Sequence, residues 1–218
     1  MTTDAVTLLL ALLTVASWVA SAVLVVAHLA PGVRRSVSDL LAGQILPLAL
    51  LVAVVATTGS LYLSEVAHFP PCKLCWFQRI AMYPQVLLLG VAWYRRDEGI
   101  RHYALPLAVI GALISTYHIV LERFPSLEES SVCDPTNPCT ITWVEELGFI
   151  TIPTMALSAF VLIALLLSHL PSGDLDSDFD TDLDTDLDTD REDDLDARDD
   201  TDRERSDTPA PPSRTEAR

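Results

Sequence analysis

The sequence predicts an all-α membrane protein with five transmembrane helices, and two features of its composition lead to that fold class. Half of the 218 residues are hydrophobic and the mean hydropathy is +0.34, although the formal net charge is −16. The charge is also segregated, because residues 1–170 carry a net charge of −3 and residues 171–218 carry −13. An apolar region is therefore followed by an acidic one, which excludes an ordinary soluble enzyme.

Five segments are long and apolar enough to cross roughly 30 Å of hydrocarbon, which takes about 20 helical residues. Four of them contain no Asp, Glu, Lys or Arg, and the third contains only Arg79, near its start. The first segment has no Lys or Arg before it and is long for the apolar part of a signal peptide, so we expect it to be retained. In chain order the segments are residues 6–30, 40–63, 76–94, 104–121 and 147–170.

The basic residues predict how the chain is oriented in the plasma membrane. The first and third loops hold five arginines, whereas the second and fourth hold only Lys73 and Arg123. Because basic loops stay in the cytoplasm, we expect the second and fourth loops to be extracytoplasmic. The acidic tail, residues 171–218, then lies in the cytoplasm.

The acidic tail repeats a short Asp-Leu-Asp-Thr unit, and we expect it to be disordered. Such a segment cannot bury enough apolar surface to offset its ordering entropy and its self-repulsion. A Ca²⁺-binding repeat is the alternative, but the unit lacks the glycines of such repeats. The chain has no cluster of Lys and Arg for phosphate contacts, so we expect no nucleic-acid partner.

All four cysteines fall in the two loops predicted to be extracytoplasmic, where disulfides can persist. Cys72 and Cys75 form a C-x-x-C at the start of the third helix, and Cys133 and Cys139 form a C-x5-C in the last loop. The C-x-x-C spacing lets two sulfurs bridge or open with little backbone change, and a helix N-terminus lowers the pKa of a thiol. Three disulfide connectivities remain open.

Arg79 is predicted to lie beside the C-x-x-C. At about 100° per residue, Cys72, Cys75 and Arg79 lie within about 60° of one another on one helix face. An arginine at this membrane depth indicates a functional site, and we expect it to lower the pKa of a thiolate at Cys75. An arginine that only reaches out to the lipid headgroups is the alternative.

Four cysteines have three other common uses in proteins. A four-cysteine zinc site needs two close pairs, and C-x5-C is loose for that, so we expect no metal site. Covalent haem needs a histidine after the C-x-x-C, where Trp76 stands. A non-catalytic membrane protein with two structural disulfides remains an alternative, although a C-x-x-C bridge is strained and removes little unfolded-state entropy.

Two stretches resemble the DsbB/BdbC disulfide bond formation family, closest to its short BdbC branch. Residues 71–84 read PCKLCWFQRIAMYP, which is similar to the family's first cysteine motif. Cys133, Pro138-Cys139, Trp143 and the run GFITIP at residues 148–153 resemble its second cysteine loop and last helix. The likeness covers about residues 40–170, with both motifs in the right order and in alternate extracytoplasmic loops.

The resemblance implies a four-transmembrane-helix bundle core plus one extra N-terminal transmembrane helix. Residues 1–39 would be that extra helix and a cytoplasmic loop, residues 40–170 the redox core, and residues 171–218 the disordered tail. The implied activity is that of a quinone-dependent thiol-disulfide oxidoreductase. It would reoxidise an extracytoplasmic thioredoxin-like dithiol oxidase and pass the electrons to the membrane's quinone pool, of menaquinone or ubiquinone type.

The resemblance also implies roles for individual residues. Cys133 would be joined transiently to the partner, and Cys139 would exchange with Cys72. Cys75 would lie next to the quinone, and Arg79 would polarise it. A vitamin K epoxide reductase-type enzyme is a further alternative, but in that family the C-x-x-C opens the last helix of the core, whereas here it opens the second.

Two more residues are candidates for the quinone pocket. Trp76, next to Cys75, would form one of its walls, with an aromatic belt residue as the alternative. His118, in the outer half of the fourth helix, would contact the quinone or take up its protons. A hydrogen-bonded histidine between helices is the structural alternative for His118.

Overall fold

The computed structural model describes residues 3–30, 41, 43–127, 133 and 138–170. Over these residues the chain is helical except for its connections and one isolated bridge between Glu146 and Ile150. Short 3-10 helices, Glu98–Ile100 and Pro125–Leu127, lie before and after the α-helix Arg101–Arg123. The α-helices of this part are α1 (Thr3–Leu29), α2 (Ile45–Glu65), α3 (Lys73–Arg95), α4 (Arg101–Arg123) and α5 (Ile152–Ser168). Most of the predicted first cytoplasmic loop and the whole predicted disordered tail, residues 171–218, lie outside the described residues.

The helices agree with the all-α class, and three of them are long and apolar enough to cross a membrane. These are α1, α2, and α4 together with the 3-10 turn before it. Helix α3 has 23 residues, but it carries Lys73, Arg79 and Arg95. Helix α5 is apolar and 17 residues long. Of the five predicted spans, three therefore meet both the length and the composition of a membrane crossing in the described part of the chain.

The last predicted span, 147–170, is wrong at its start, because α5 begins at Ile152. Residues 147–150 instead close a tight turn, in which Leu147 and Gly148 have φ angles of 53° and 78°. The backbone N–H groups of Glu146 and Ile150 donate to each other's carbonyl oxygens at 2.9 Å across this turn. Apolar composition alone does not separate such a turn from a helix, because an uncharged, mostly apolar run can form either.

Helices α2 to α5 share one core, in which small residues allow close approach of the backbones. Gly111 on α4 faces Phe160 on α5, and a Cβ atom at this position would overlap the phenyl ring. Phe160 is fully buried. In a membrane, where lipid tails are as apolar as the helices, such van der Waals packing is a main source of helix association.

Helix α1 packs against α5 with one face of mostly small residues, as membrane helices commonly do. Thr7 Oγ1 donates to the Glu146 carboxylate at 2.8 Å near the start of α1. At the other end, Nδ1 of His28 and Nε2 of His169 share a hydrogen bond of 3.1 Å. Both ends of α1 are therefore fixed to the bundle. The buried residues of α1 are Thr7, Ala11, Thr14, Ser21, Leu24 and Ala27.

Candidate active site

The C-x-x-C pair lies at the beginning of α3. Cys72 is the N-cap residue, and its sulfur accepts the backbone N–H of Cys75 at 3.3 Å. The first N–H groups of a helix have no partner within the helix, so an N-cap sulfur satisfies one of them and its thiolate is stabilised. Both cysteines are free thiols, and their Sγ atoms are 2.9 Å apart. The sequence thus folds into a dithiol whose sulfurs are already adjacent.

The C-x5-C pair is a disulfide between Cys133 and Cys139. Their Cα atoms are 5.8 Å apart, and both residues are buried. Of the connectivities left open by the sequence, the structure has a bridge within this pair and none between the two pairs among the described residues. It holds one bridge and one dithiol there, not the two structural disulfides of the non-catalytic alternative.

The two pairs meet at one end of the bundle. Phe69, in the loop before α3, stacks on Trp143, in the loop before α5, with ring centroids 5.8 Å apart. This contact joins the connections in which the two cysteine motifs lie. Three of the four cysteines are buried in one apolar cluster, with Cys75 packed against it. Its buried members are Cys72, Leu74, Leu121, Cys133 and Cys139.

His118 on α4 contacts both pairs. Its Nε2 atom lies 3.7 Å from Cys72 Sγ and 3.1 Å from the backbone oxygen of Cys139. Its Nδ1 atom lies 3.2 Å from the amide nitrogen of Gln78 on α3. With Nδ1 accepting from that amide, Nε2 carries the proton and donates toward the cysteines. The imidazole is buried, so its hydrogen bonds rather than water set its orientation.

The negative charge of the dithiol belongs on Cys72. The hydrogen bond from the Cys75 thiol lowers the pKa of Cys72 to about 4, and the hydrogen bond and charge of His118 act in the same direction against the effect of burial. The expectation of a stabilised thiolate at Cys75 is wrong in its choice of sulfur, because the donors converge on Cys72.

Arg79 joins α3 to α2 instead of reaching out to the headgroups. Its Nε donates to Ser60 Oγ at 3.1 Å and its Nη2 donates to the Ser60 carbonyl at 3.0 Å. The guanidinium also lies over the Trp76 ring, 5.3 Å from its centroid. Trp76 itself is 54% exposed and is not among the described residues that line the cavity beside the dithiol.

That cavity has a volume of about 380 Å³ and extends from the dithiol into the bundle. Cys72, Cys75 and Arg79 line the same cavity, as the helical spacing predicts. The Tyr83 hydroxyl is a buried cavity-lining group with no hydrogen-bond partner in the part of the chain that the structure describes. All five α-helices contribute to its mostly apolar wall, with α1 supplying Leu10, Leu13, Thr14, Ala16, Ser17 and Ala20.

Three residues of this region, Ser60, Gln78 and Tyr83, were not predicted from the sequence. Gln78 lies three residues after Cys75, so helical spacing alone could have placed it on the face of the dithiol. A polar Ser60 inside an apolar span was a weaker signal. Its pairing with Arg79 depends on how α2 packs against α3, which no local pattern encodes.

Fold and site together define a class of protein. The chain combines long apolar helices with a helix-capping dithiol and a nearby disulfide, and His118 contacts Cys72 of the first pair and the backbone oxygen of Cys139 in the second. These are the parts of a membrane thiol-disulfide oxidoreductase, in which electrons move by exchange between cysteine pairs.

The chain belongs to the family of disulfide bond formation protein DsbB, whose model matches residues 43–170. It is 47% identical over 113 residues to disulfide bond formation protein C of Bacillus subtilis (strain 168), which covers 52% of this chain and 82% of that relative. It is 44% identical over 132 residues to a probable disulfide formation protein of Coxiella burnetii (strain Dugway 5J108-111), which covers 60% and 90% respectively. No solved structure matches the chain.

These relationships confirm the resemblance that the cysteine motifs indicated. The family, together with the apolar helices, makes the chain a multi-pass protein of the plasma membrane that forms disulfides. Helix α1 lies before the matched residues, so its packing on α5 and its part in the cavity wall are additions to the shared core.

Proposed function

We propose that the protein is a quinone-dependent thiol oxidase that reoxidises an extracytoplasmic thioredoxin-like dithiol protein. One observation carries the proposal: beside an apolar cavity, His118 contacts the sulfur of Cys72 and the backbone oxygen of the disulfide-bonded Cys139. A relay needs two cysteine pairs close enough to exchange, and one of them must reach an electron acceptor. The arrangement supports both requirements.

The relay begins when a thiolate of the partner attacks Cys133 Sγ. The Cys133–Cys139 bond breaks, a mixed disulfide forms, and Cys139 leaves as a thiolate. When the C-x-x-C pair is oxidised, Cys139 attacks Cys72 Sγ and Cys75 leaves as a thiolate. The partner's second thiol then resolves its bond to Cys133, which releases the oxidised partner and leaves Cys133 as a thiolate. Cys133 attacks Cys139, re-forms the Cys133–Cys139 disulfide and releases Cys72, so two electrons end on Cys72 and Cys75.

His118 would steer the exchange between the pairs. Its Nε2 atom lies between Cys72 Sγ and the Cys139 carbonyl, so one N–H can serve either side. The low pKa of Cys72 makes it a good leaving group and a thiolate at neutral pH. The pair therefore holds its electrons as a thiolate and a thiol, with Cys75 lining the cavity.

The cavity fits a quinone, which joins a polar ring to an apolar chain. Arg79 would hold the ring oxygens together with the Tyr83 hydroxyl, which has no hydrogen-bond partner among the described residues, and the apolar wall would hold the chain. A bound quinone supplies the two-electron, two-proton acceptor that lets the dithiol return to a disulfide. The contacts of Arg79 with Ser60 and Trp76 fix the guanidinium in advance, so little conformational entropy is lost when it binds an oxygen.

The proposal includes an arrangement in the membrane. Helices α2 to α5 would form the four-helix core, and α1 would cross as an extra helix. The end with the cysteines would be extracytoplasmic, and the acidic tail cytoplasmic, as the loop arginines predict. Helix α5 spans only about 26 Å, at 1.5 Å per residue, and the turn before it would complete the crossing.

The test uses the purified full-length protein in detergent, a reduced thioredoxin-like protein and a soluble quinone analogue. Quinone absorbance is followed for the native chain, Cys75→Ser and Arg79→Ala. We expect quinone reduction by the native chain, none by Cys75→Ser, and a KM for quinone raised about tenfold or more by Arg79→Ala, since a hydrogen bond from a charged group contributes roughly 1.5–3 kcal/mol. Trp93→Phe, outside the described cavity lining, is the matched control and should behave as the native chain.

A quinone that stays oxidised while the partner dithiol is still consumed would overturn the quinone part of the proposal. A partner dithiol that is never oxidised, with both cysteine pairs resistant to exchange, would overturn the relay as well.

A further inference from the structure

The reduced C-x-x-C pair and His118 also have the arrangement of a metal-binding site. We propose that the reduced protein binds one thiophilic divalent cation of the zinc type through Cys72 Sγ, Cys75 Sγ and His118 Nε2. These three ligand atoms lie within 4.8 Å of one another. The set differs from the four-cysteine site excluded from the sequence, because Cys133 and Cys139 are bonded to each other and the histidine supplies the third ligand.

The distances suit a tetrahedral ion. Zn–S bonds of about 2.3 Å and Zn–N bonds of about 2.0 Å place two sulfurs about 3.8 Å apart and a sulfur and nitrogen about 3.5 Å apart. Cys72 Sγ and His118 Nε2 are already 3.7 Å apart. The two sulfurs, now at 2.9 Å, need to separate by about 1 Å. Rotation of the half-buried Cys75 side chain supplies that movement.

Gln78 provides the outer support that a histidine ligand requires. Binding through Nε2 moves the imidazole proton to Nδ1, and metal-bound histidines usually donate that N–H to an oxygen. The Gln78 amide lies 3.2 Å from Nδ1, and turning it by half a rotation exchanges its nitrogen for its oxygen. Gln78 is buried, so this amide has little competition from water.

The charges balance at such a site. The cation displaces the one thiol proton that the pair retains, on Cys75, which leaves to solvent, and no electrons move. Two thiolates and one dication are neutral together, which suits a buried position far better than an unpaired dithiolate. Three protein ligands leave the fourth position for water from the adjoining cavity.

Metal binding and oxidation exclude each other, since a Cys72–Cys75 disulfide removes both sulfur ligands. The metal-bound protein would therefore be held in its reduced form. The site depends only on the dithiol and His118, so it stands whether or not a quinone is the electron acceptor.

Cobalt(II) is the probe for this site, because tetrahedral thiolate coordination gives it strong visible bands and a thiolate charge-transfer band. We expect the reduced full-length protein in detergent to bind one Co²⁺ with these bands and to lose them when Zn²⁺ is added. Cys72→Ser and Cys75→Ser should abolish them. Gln78→Leu should weaken binding about 10–100-fold, the usual effect of removing an outer-shell partner, and His118→Ala at least as much.

The oxidised full-length protein is the matched control, because it keeps the 19 Asp and Glu residues of the tail. Any Co²⁺ that the tail carboxylates bind has oxygen ligands and gives no thiolate bands. Thiolate bands in the oxidised protein, or bands that His118→Ala leaves unchanged in strength and affinity, would overturn the proposal. Absence of bands in the reduced native chain would do the same.

A second measurement does not depend on the folding of any variant. Zn²⁺ should slow maleimide labelling of Cys72 and Cys75 in the reduced native protein, and a chelator should restore it. Labelling at an unchanged rate would contradict the site, while the quinone assay would still decide the proposed function separately.

Discussion

The two cysteine pairs share one end of the bundle but differ in what surrounds their sulfur atoms. Cys72 receives a helix N–H, a thiol and an imidazole, and its pair lines a cavity. Cys133 and Cys139 are bonded to each other, and neither is among the described residues that line that cavity. Hydrogen-bond donors stabilise a thiolate and so favour the reduced form of the C-x-x-C pair. Apolar neighbours offer a thiolate no such stabilisation, so they favour the uncharged disulfide of the C-x5-C pair.

Removal of Cys133 and Cys139 tests this difference between the two pairs most directly. In the double variant Cys133→Ser/Cys139→Ser, we expect oxidation of a protein dithiol to fall to background, because the partner's entry point is gone. A small dithiol such as dithiothreitol should still reduce the C-x-x-C pair through the half-buried Cys75 and keep quinone reduction going. Parallel assays of the two dithiols measure the difference.

The matched control is Cys72→Ser/Cys75→Ser, which should lose activity with both dithiols. If dithiothreitol also gives no quinone reduction with Cys133→Ser/Cys139→Ser, the two pairs do not have separate roles. The structural difference between them would then have no functional consequence.

The position of α4, which holds His118 against both pairs, depends on Gly111. Gly111→Ala adds a Cβ atom that would overlap the buried Phe160 ring, so we expect a loss of about 1–3 kcal/mol in the free energy of unfolding. Gly90→Ala is the control, because its Cβ atom would lie at an ordinary 3.9 Å from Leu50. Denaturant unfolding in detergent compares the two, and equal stability would contradict the close approach of α4 and α5.

The low pKa of Cys72 predicts an unusual pH dependence of alkylation. In Cys75→Ser, where a hydroxyl replaces the donating thiol, Cys72 should still react with iodoacetamide at a lower pH than an ordinary thiol, because its remaining donors lower its pKa. Adding His118→Ala removes a second donor and should shift the profile upward by about one pH unit. An unshifted profile would show that the histidine does not act on this sulfur.

The low pKa of Cys72 also makes the stability of the reduced protein depend on pH. The thiol pKa of Cys72 falls on folding from 9.0 to about 4, so between these values the unfolded reduced chain binds more protons. The stability of the reduced protein should therefore rise with pH across this window and lose this contribution as the pH falls through about 4. The oxidised protein, which lacks the thiol, should not show the effect.

The smallest expected effect concerns α1, which lies away from both cysteine pairs in sequence. Thr7→Val removes the hydrogen bond to Glu146 and should cost about 1 kcal/mol of stability while leaving cysteine reactivity unchanged. Thr58→Val is the control, because among the described residues the Thr58 hydroxyl bonds to carbonyl oxygens of its own helix. A change in Cys72 alkylation on Thr7→Val would show that the hydrogen bond between Thr7 and Glu146 also positions the dithiol.

The helical class, the dithiol at a helix start and its shared face with Arg79 could be read from the sequence. All of these are set by short-range patterns, namely apolar runs and a period of 3.6 residues. The start of α5 could not be read from the sequence, because residues 147–150 are as apolar as a helix but close a turn. Composition does not record the sign of φ.

The choice of Cys72 over Cys75 as the thiolate was also beyond the sequence. It depends on His118, which comes from a helix 46 residues away along the chain. Arg79 was placed beside the dithiol correctly, but its hydrogen bonds go to Ser60 on α2. Contacts between helices decide both outcomes, and the packing of four helices is not a local property.

The bond between Arg79 and Ser60 has a consequence for how the chain is made. Helix α3 is the least apolar of the long helices, and a lone arginine within a nascent helix opposes its transfer from the translocon into lipid. Because Ser60 presents both its hydroxyl and its carbonyl to that arginine, α2 supplies the partner that lipid lacks. In the proposed membrane arrangement, α2 and α3 would therefore enter the bilayer together as a hairpin.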